Sequence, residues 1–146
     1  KFGLAKPVTR TASRTLILNP FSEKTLLKSD KKFVNSITGI DCSWNLVTSA
    51  FKKPFTGISR KLPPLLAGNP MNYSKLNKLS TVEALAGAVY ILGEPELTHT
   101  LLKKFKWGNT FFELNKNLLQ DYSKAQSEAE ILEICHEYRL DNAQFT

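Results

Sequence analysis

Apolar and polar positions along the chain fall into two regimes. In the first half the apolar runs are short and are cut by proline, asparagine and glycine. Thr15-Leu16-Ile17-Leu18 is such a run, ended by Asn19-Pro20, and it predicts a buried strand. Residues 29–36 set Phe33 and Val34 among polar neighbours and predict a short helix. Gly39-Ile40-Asp41-Cys42-Ser43-Trp44 predicts a strand whose end delivers polar side chains. Residues 48–61 form a basic, Ser/Thr-rich stretch with Phe51 and Phe55 interleaved, which predicts an RNA-contacting loop. Leu62-Pro63-Pro64 then opens a segment to Gly68 that fits the start or edge of a sheet, because proline lacks the donor an inner strand needs. Asn69-Pro70-Met71-Asn72-Tyr73 predicts a turn.

The second half repeats at helical spacing. Ser80-Thr81-Val82-Glu83 has the capping-box pattern, followed by Val82, Leu85, Ala86, Val89 and Leu92 on one face. Gly93 suits the left-handed position after the helix, and Pro95 suits the first turn of the next. That second helix carries Leu97, Leu101, Leu102 and Phe105. Asn109 is placed to cap a third, with Phe111, Leu114, Leu118 and Tyr122. Ser127 and Glu130 mark a fourth, with Ile131, Ile134, Cys135 and Tyr138. The pattern therefore predicts an α/β part over residues 1–66 and an all-helical part over 67–146.

Composition narrows the classes. With 42% hydrophobic and 23% charged residues in 146, the chain can bury a core. No apolar run approaches the roughly 18 residues of a membrane span, so no membrane partner is expected. Neither a secretory leader nor a short-period repeat is read from it. Two cysteines, Cys42 and Cys135, are too few for a disulfide scaffold and point to a reducing, cytoplasmic compartment. Their spacing, and that of His99 and His136, makes no metal site. Phosphate-cradling glycine loops and nucleophile elbows are absent too.

Charge changes the picture more. The net +7 is uneven: residues 1–80 carry 14 Lys and Arg against 3 Asp and Glu, and residues 81–146 carry 6 against 10. A basic half points to an anionic ligand on one side, or to a merely solvated basic surface. Lys24, Lys28, Lys31, Lys32, Lys52, Lys53, Arg60 and Lys61 are the candidate RNA contacts. Asp41, at a predicted strand end, is a candidate general base, or a turn-capping carboxylate. Trp44 is a cation platform or a core residue. Asn69, Asn72 and Tyr73 form a polar pocket wall or simply a turn. Residue patterns alone lead to a basic α/β plus α protein with an RNA partner.

Three blocks, read in order, go further. Ile40-Asp41-Cys42-Ser43-Trp44 is followed by Leu62-Pro63-Pro64-Leu65-Leu66-Ala67-Gly68-Asn69-Pro70-Met71-Asn72-Tyr73 and then Lys78-Leu79-Ser80-Thr81-Val82-Glu83-Ala84. Lys104-Phe105-Lys106-Trp107-Gly108 and Phe111-Phe112-Glu113-Leu114-Asn115 come later. This ordered set resembles the small-subunit ribosomal RNA aminocarboxypropyltransferase family of archaea and eukaryotes, whose pattern is IDCSW, LPxLxAANPVNYG, KLSCVEA, KFKWG and FLxLN. The resemblance implies transfer of the 3-amino-3-carboxypropyl group of S-adenosylmethionine to N3 of a (methyl)pseudouridine in small-subunit rRNA, during ribosome biogenesis. It implies a SPOUT-like parallel-sheet domain and an all-helical domain, a deep trefoil knot, a cofactor cleft between the two, and a monomer acting on rRNA or a pre-ribosomal subunit.

Carried over by motif, the cofactor contacts are Leu18, Ile40, Trp44, Leu62, Asn77 and Thr81. Leu18 ends the first strand and walls the site, while Ile40 and Leu62 act through their backbones. Trp44 packs near the sulfonium methyl; Asn77 and Thr81 close over the cofactor. Asp41 is the one nearby carboxylate suited to take the imide proton. Asn77 stands where relatives carry an aromatic residue, Thr81 replaces Cys, and Gly68 replaces Ala. The family's KKC(S/T)GKKL segment would precede Lys1, so a longer natural chain is expected. A non-catalytic ribosome-assembly protein and a SPOUT-type RNA methyltransferase are the competing readings.

Overall fold

In the computed structural model the described residues are 14–39 and 57–140. Thr15–Leu18 is a strand, β1, with all four residues buried. Ser36–Gly39 forms β2 and Ile58–Arg60 forms β3. The sheet order is β2-β1-β3, parallel throughout, with Leu16 opposite Ile37 on one side and Ile58 on the other. β1 is thus the central strand, which is why its run is uniformly apolar.

Two sequence expectations change here. Residues 58–60 were expected in a loop, and they are a strand. Only Ile58 is fully apolar there, so the backbone pairing to β1 makes the strand rather than an apolar pattern. The helix expected over residues 29–36 is a 3-10 turn at Lys28–Phe33, and Ser36 already belongs to β2. Asp30 fixes that turn: its Oδ2 accepts the Leu27 N–H at 3.0 Å. The strand expected from Gly39 to Trp44 is described only as far as Gly39, where β2 ends.

Four helices follow: α1 at Thr81–Ile91, α2 at Pro95–Leu102, α3 at Gly108–Lys124 and α4 at Glu128–Glu137. The Ser80 capping box forms as the sequence predicts. Gly93 takes φ +99°, the left-handed turn that separates α1 from α2. Buried Thr98 of α2 donates to Ala86 O of α1 at 2.9 Å, tying the pair together. Asn109 does not cap α3. Backbone bonds run without a break through Phe105 N to Leu102 O and Gly108 N to Phe105 O, so α3 begins at Gly108 with Trp107 at its N-cap. Ser127 caps α4 by accepting the Glu130 N–H at 3.2 Å.

Leu16, Leu18 and Leu26 join Leu65, Ile91, Phe111, Leu119, Tyr122 and Ile131 in one buried apolar cluster. The sheet and the helices therefore share a core, and each fully buried large side chain contributes about 1.5–3 kcal/mol.

Candidate functional site

The strand order identifies one end of the sheet. The chain leaves β1 toward β2 on one side, and β3 lies on the other, so the order reverses at β1. In open parallel sheets ligands bind outside the carboxyl ends of the strands at such a reversal. Leu18 and Arg60 sit opposite each other at those ends, and Asn19 N donates to Arg60 O at 2.9 Å. The turn after β1 is held locally, with Asn19 Oδ1 accepting the Phe21 N–H at 2.8 Å. Thr25 then pairs in parallel with Lys61, closing the carboxyl ends of β1 and β3 together.

The segment after β3 is irregular, yet helices fix it at three places. Tyr122 of α3 donates its hydroxyl to Pro64 O at 2.7 Å. Asn115 of α3, fully buried, accepts the Leu66 N–H at 2.7 Å and donates to Leu66 O at 2.8 Å, replacing a missing strand partner. Glu83 of α1, also fully buried, accepts from Gly68 N at 2.7 Å and Asn69 N at 3.2 Å. Its other oxygen accepts from Asn69 Nδ2 at 2.8 Å, Ser80 N at 2.8 Å and Ser80 Oγ at 3.0 Å. Burying a carboxylate without a cation is costly unless its lone pairs are filled, and here five donors fill them. Burial also holds the Tyr122 hydroxyl far above its ordinary pKa, with the neighbouring Cys135 adding to the shift, so it stays a donor to Pro64.

Between these anchors the chain makes a small hairpin. Leu66 pairs antiparallel with Leu76, and Asn77 N donates to Leu65 O at 3.1 Å. Asn77 takes φ +59°, a conformation asparagine tolerates better than most residues. Pro70–Asn72 is a 3-10 turn whose N-cap Asn69 accepts the Asn72 N–H at 3.1 Å. The turn expected from the sequence is therefore present, and the Asn69 side chain is spent on structure rather than on a pocket wall.

Four expected cofactor contacts are described. Leu18 is buried, and Leu62 packs on the shared core. Both side chains pack toward the core, and Leu18 is paired with Gly39 and Arg60 in the sheet. Asn77 is exposed, and Thr81 is the first, half-buried residue of α1. Leu18 and Leu62 lie at the reversal point, and Asn77 is tied to the segment that starts at Leu62. Ile40, Asp41 and Trp44 lie outside the described residues, as do Lys52 and Lys53.

The cations separate into two groups. Lys24, Lys28 and Lys32 are exposed, with Arg14 exposed beside them, its Nη2 donating to Lys32 O at 3.2 Å. Lys61 is half-buried. Lys31 is ion-paired with Glu94. Arg60 is engaged more fully: its Nε and Nη2 meet the two oxygens of Asp30 at 3.2 and 3.3 Å. Sequence reasoning missed Ser59, whose hydroxyl is buried with no hydrogen-bond partner among the described residues. It shares a sheet face with Ile17 and Thr38. A lone serine in a basic stretch carries no signal that would mark it.

Among the described residues no group of three or more His, Cys, Asp and Glu could hold a metal ion, and no helix is long and apolar enough to cross a membrane.

A family described as "Ribosome biogenesis protein, C-terminal" matches residues 16–139. The chain is 38% identical over 143 residues to a 16S rRNA aminocarboxypropyltransferase of Methanobrevibacter smithii, covering 94% of this chain and 82% of that protein. It is 40% identical over 137 residues to the protein of that name from Methanocaldococcus jannaschii, covering 92% and 80%. The counterpart from Saccharolobus islandicus is 46% identical over 117 residues, covering 79% and 70%. Among solved structures, the SAM-dependent rRNA:acp-transferase Tsr3 from Vulcanisaeta distributa superposes with a TM-score of 0.73 at 34% identity. That match covers 81% of this chain and 66% of the other.

Proposed function

The chain belongs to the ribosome biogenesis protein C-terminal family, and we infer that it is an S-adenosylmethionine-dependent aminocarboxypropyltransferase acting on small-subunit rRNA. The observation that carries this reading is the similarity to 16S rRNA aminocarboxypropyltransferases over nearly the whole chain. The parallel sheet backed by helices has the same fold as the Tsr3 structure. The finer layout belongs to the same proposal: a SPOUT-like sheet domain over residues 1–66, a helical domain over 67–146, and a deep trefoil knot around the cofactor cleft.

The residues at the sheet reversal suit the adenosine half of the donor. Leu18 is buried and Leu62 partly buried against the core, the segment after Leu62 is held by Tyr122, Asn115 and Glu83, and both leucines are assigned backbone contacts to the cofactor. Thr81 offers a hydroxyl from the start of α1. When bound, S-adenosylmethionine supplies a sulfonium with three carbons open to attack, so orientation decides which group is transferred. Ile40 is assigned a backbone contact to the cofactor. Trp44 is assigned to hold the methyl away from the acceptor, and Asn77 to close over the adenosine. The acceptor N3 must lose its proton, and Asp41 is assigned to receive it. These roles rest on the sequence motifs. The RNA backbone is held by Lys24, Lys28 and Lys32, with Lys61 beside the cleft and Lys31, Lys52 and Lys53 in the same basic half.

Two labelled donors test the reading with full-length protein and small-subunit rRNA. Carboxyl label is expected on the RNA and methyl label is not. Methyl label on the RNA would assign a methyltransferase; neither label, with RNA still bound, would assign a non-catalytic assembly factor. Full turnover by Asp41→Asn at saturating RNA would remove Asp41 from the base role.

A further inference from the structure

The hairpin after β3 carries two large side chains that its own fold does not use. Met71 is 86% exposed and Tyr73 58% exposed. Both stand at the tip of a loop whose backbone is fixed. Ser74 N donates to Ala67 O, Ala67 N to Lys75 O and Lys75 N to Asn72 O across the hairpin. Glu83 and Asn69 hold its base. An aromatic ring on such a loop loses little freedom on meeting a ligand, because the backbone is already ordered.

The surroundings favour an anion. Between Arg60 and Glu83 the chain carries three lysines, Lys61, Lys75 and Lys78, and no acidic residue. Lys75 and Lys78 are exposed on the hairpin itself, and Glu83 is buried. An apolar-aromatic tip flanked by cations matches single-stranded nucleic acid, whose bases offer faces for stacking and whose phosphates meet the lysines. It does not match a duplex, whose base faces are hidden. The hairpin follows β3 in the chain within a few residues of Lys61, which pairs with Thr25 at the carboxyl ends of β1 and β3, so its tip is assigned to the acceptor side.

We propose that Tyr73, with Met71 beside it, is a stacking platform for an unpaired base of the rRNA strand next to the acceptor nucleotide, with Lys75 and Lys78 on its phosphates. This rests on the function inferred above, and it assigns Tyr73 a positioning role rather than a catalytic one.

The test measures binding of the full-length protein to a short single-stranded oligouridylate and to its duplex with oligoadenylate. Tyr73→Ala is expected to weaken single-strand binding about tenfold and duplex binding less than about twofold. Tyr73→Trp is expected to restore it, and affinity for S-adenosylmethionine to stay unchanged. Both residues are exposed, so thermal unfolding of the variants is expected to match the parent. Equal single-strand binding by Tyr73→Ala, equal losses on strand and duplex, or a Trp variant as weak as Ala would overturn the proposal. If the parent transfers carboxyl label while Tyr73→Ala binds and transfers as well as the parent, the platform fails and the enzyme reading stands. If the parent transfers neither label but Tyr73→Ala still loses the single strand, the reverse holds.

Discussion

The Glu83 carboxylate accepts the backbone N–H of Gly68, fifteen residues upstream, at 2.7 Å. The same two oxygens also receive Asn69 and Ser80, so one acid caps α1 and anchors the base of the hairpin. Glu83→Gln keeps the shape but turns one oxygen into a donor facing donors. The expected loss is about 2–4 kcal/mol, from weakened charge-assisted bonds and buried N–H groups left unpaired. Urea unfolding measures it, and a loss under about 1 kcal/mol would mean that the network relaxes around the amide.

Gly68 meets α3 so closely that a Cβ there would lie 2.5 Å from Phe111 N and 2.6 Å from its Cα. Those are backbone atoms, so the helix itself must move. In this chain the backbone of α3 occupies the space that a methyl group at this position would fill. Gly68→Ala is expected to cost about 1–3 kcal/mol by overpacking. A variant as stable as the parent would show that α3 shifts freely against the hairpin.

Much of this was legible in the sequence, and the limits have a physical pattern. β1, the Ser80 box, the Gly93 turn and the four helices all announce themselves through neighbours a few residues apart. The second duty of Glu83, toward Gly68 and Asn69, is invisible in its capping box because it depends on where the chain returns. β3 is hidden because its three residues are held by backbone bonds to β1 and carry no alternation. Arg60 looked like one more cation in a basic stretch, and only the fold brings it to Asp30, thirty residues away. The proposed cofactor contacts rest on the ordered motifs alone. Backbone contacts such as those assigned to Leu18 and Leu62 leave no side-chain signature. Asp41, Ile40 and Trp44 lie outside the described residues.

Tyr138 donates its hydroxyl to Asp121 Oδ2 at 2.6 Å. That bond, then burial and the charges of Asp121 and Glu137, push its pKa from the ordinary 10 up to about 12. The folded state prefers the protonated phenol, so this contribution to stability is complete below pH 10 and is lost as pH rises toward about 12. Phenolate absorbance is expected to show a component near pH 12 from Tyr138 in the folded chain, while Tyr122 stays protonated beyond it. Tyr138→Phe removes that component, and Asp121→Asn moves it down. A component near pH 12 that survives Tyr138→Phe would have to be assigned to another of the four tyrosines.

Arg60 separates structural charge from RNA-binding charge. Its guanidinium is mostly covered and meets Asp30 through two contacts, and Asp30 is itself buried. Arg60→Ala leaves that carboxylate with the Leu27 N–H and no cation. The expected cost is about 1–3 kcal/mol, between the values for exposed and buried pairs. Arg60→Lys restores part of it, since an ammonium lacks the two-pronged geometry. The salt dependence of RNA binding is expected to behave oppositely. Lys28→Ala and Lys32→Ala each reduce the slope of log affinity against log salt by about 0.7–0.9, one phosphate's worth. Arg60→Ala leaves the slope as it was, because Asp30 already neutralises that charge. If Arg60→Ala lowers the slope like the lysines, the pair opens on binding and Arg60 belongs with the RNA contacts after all.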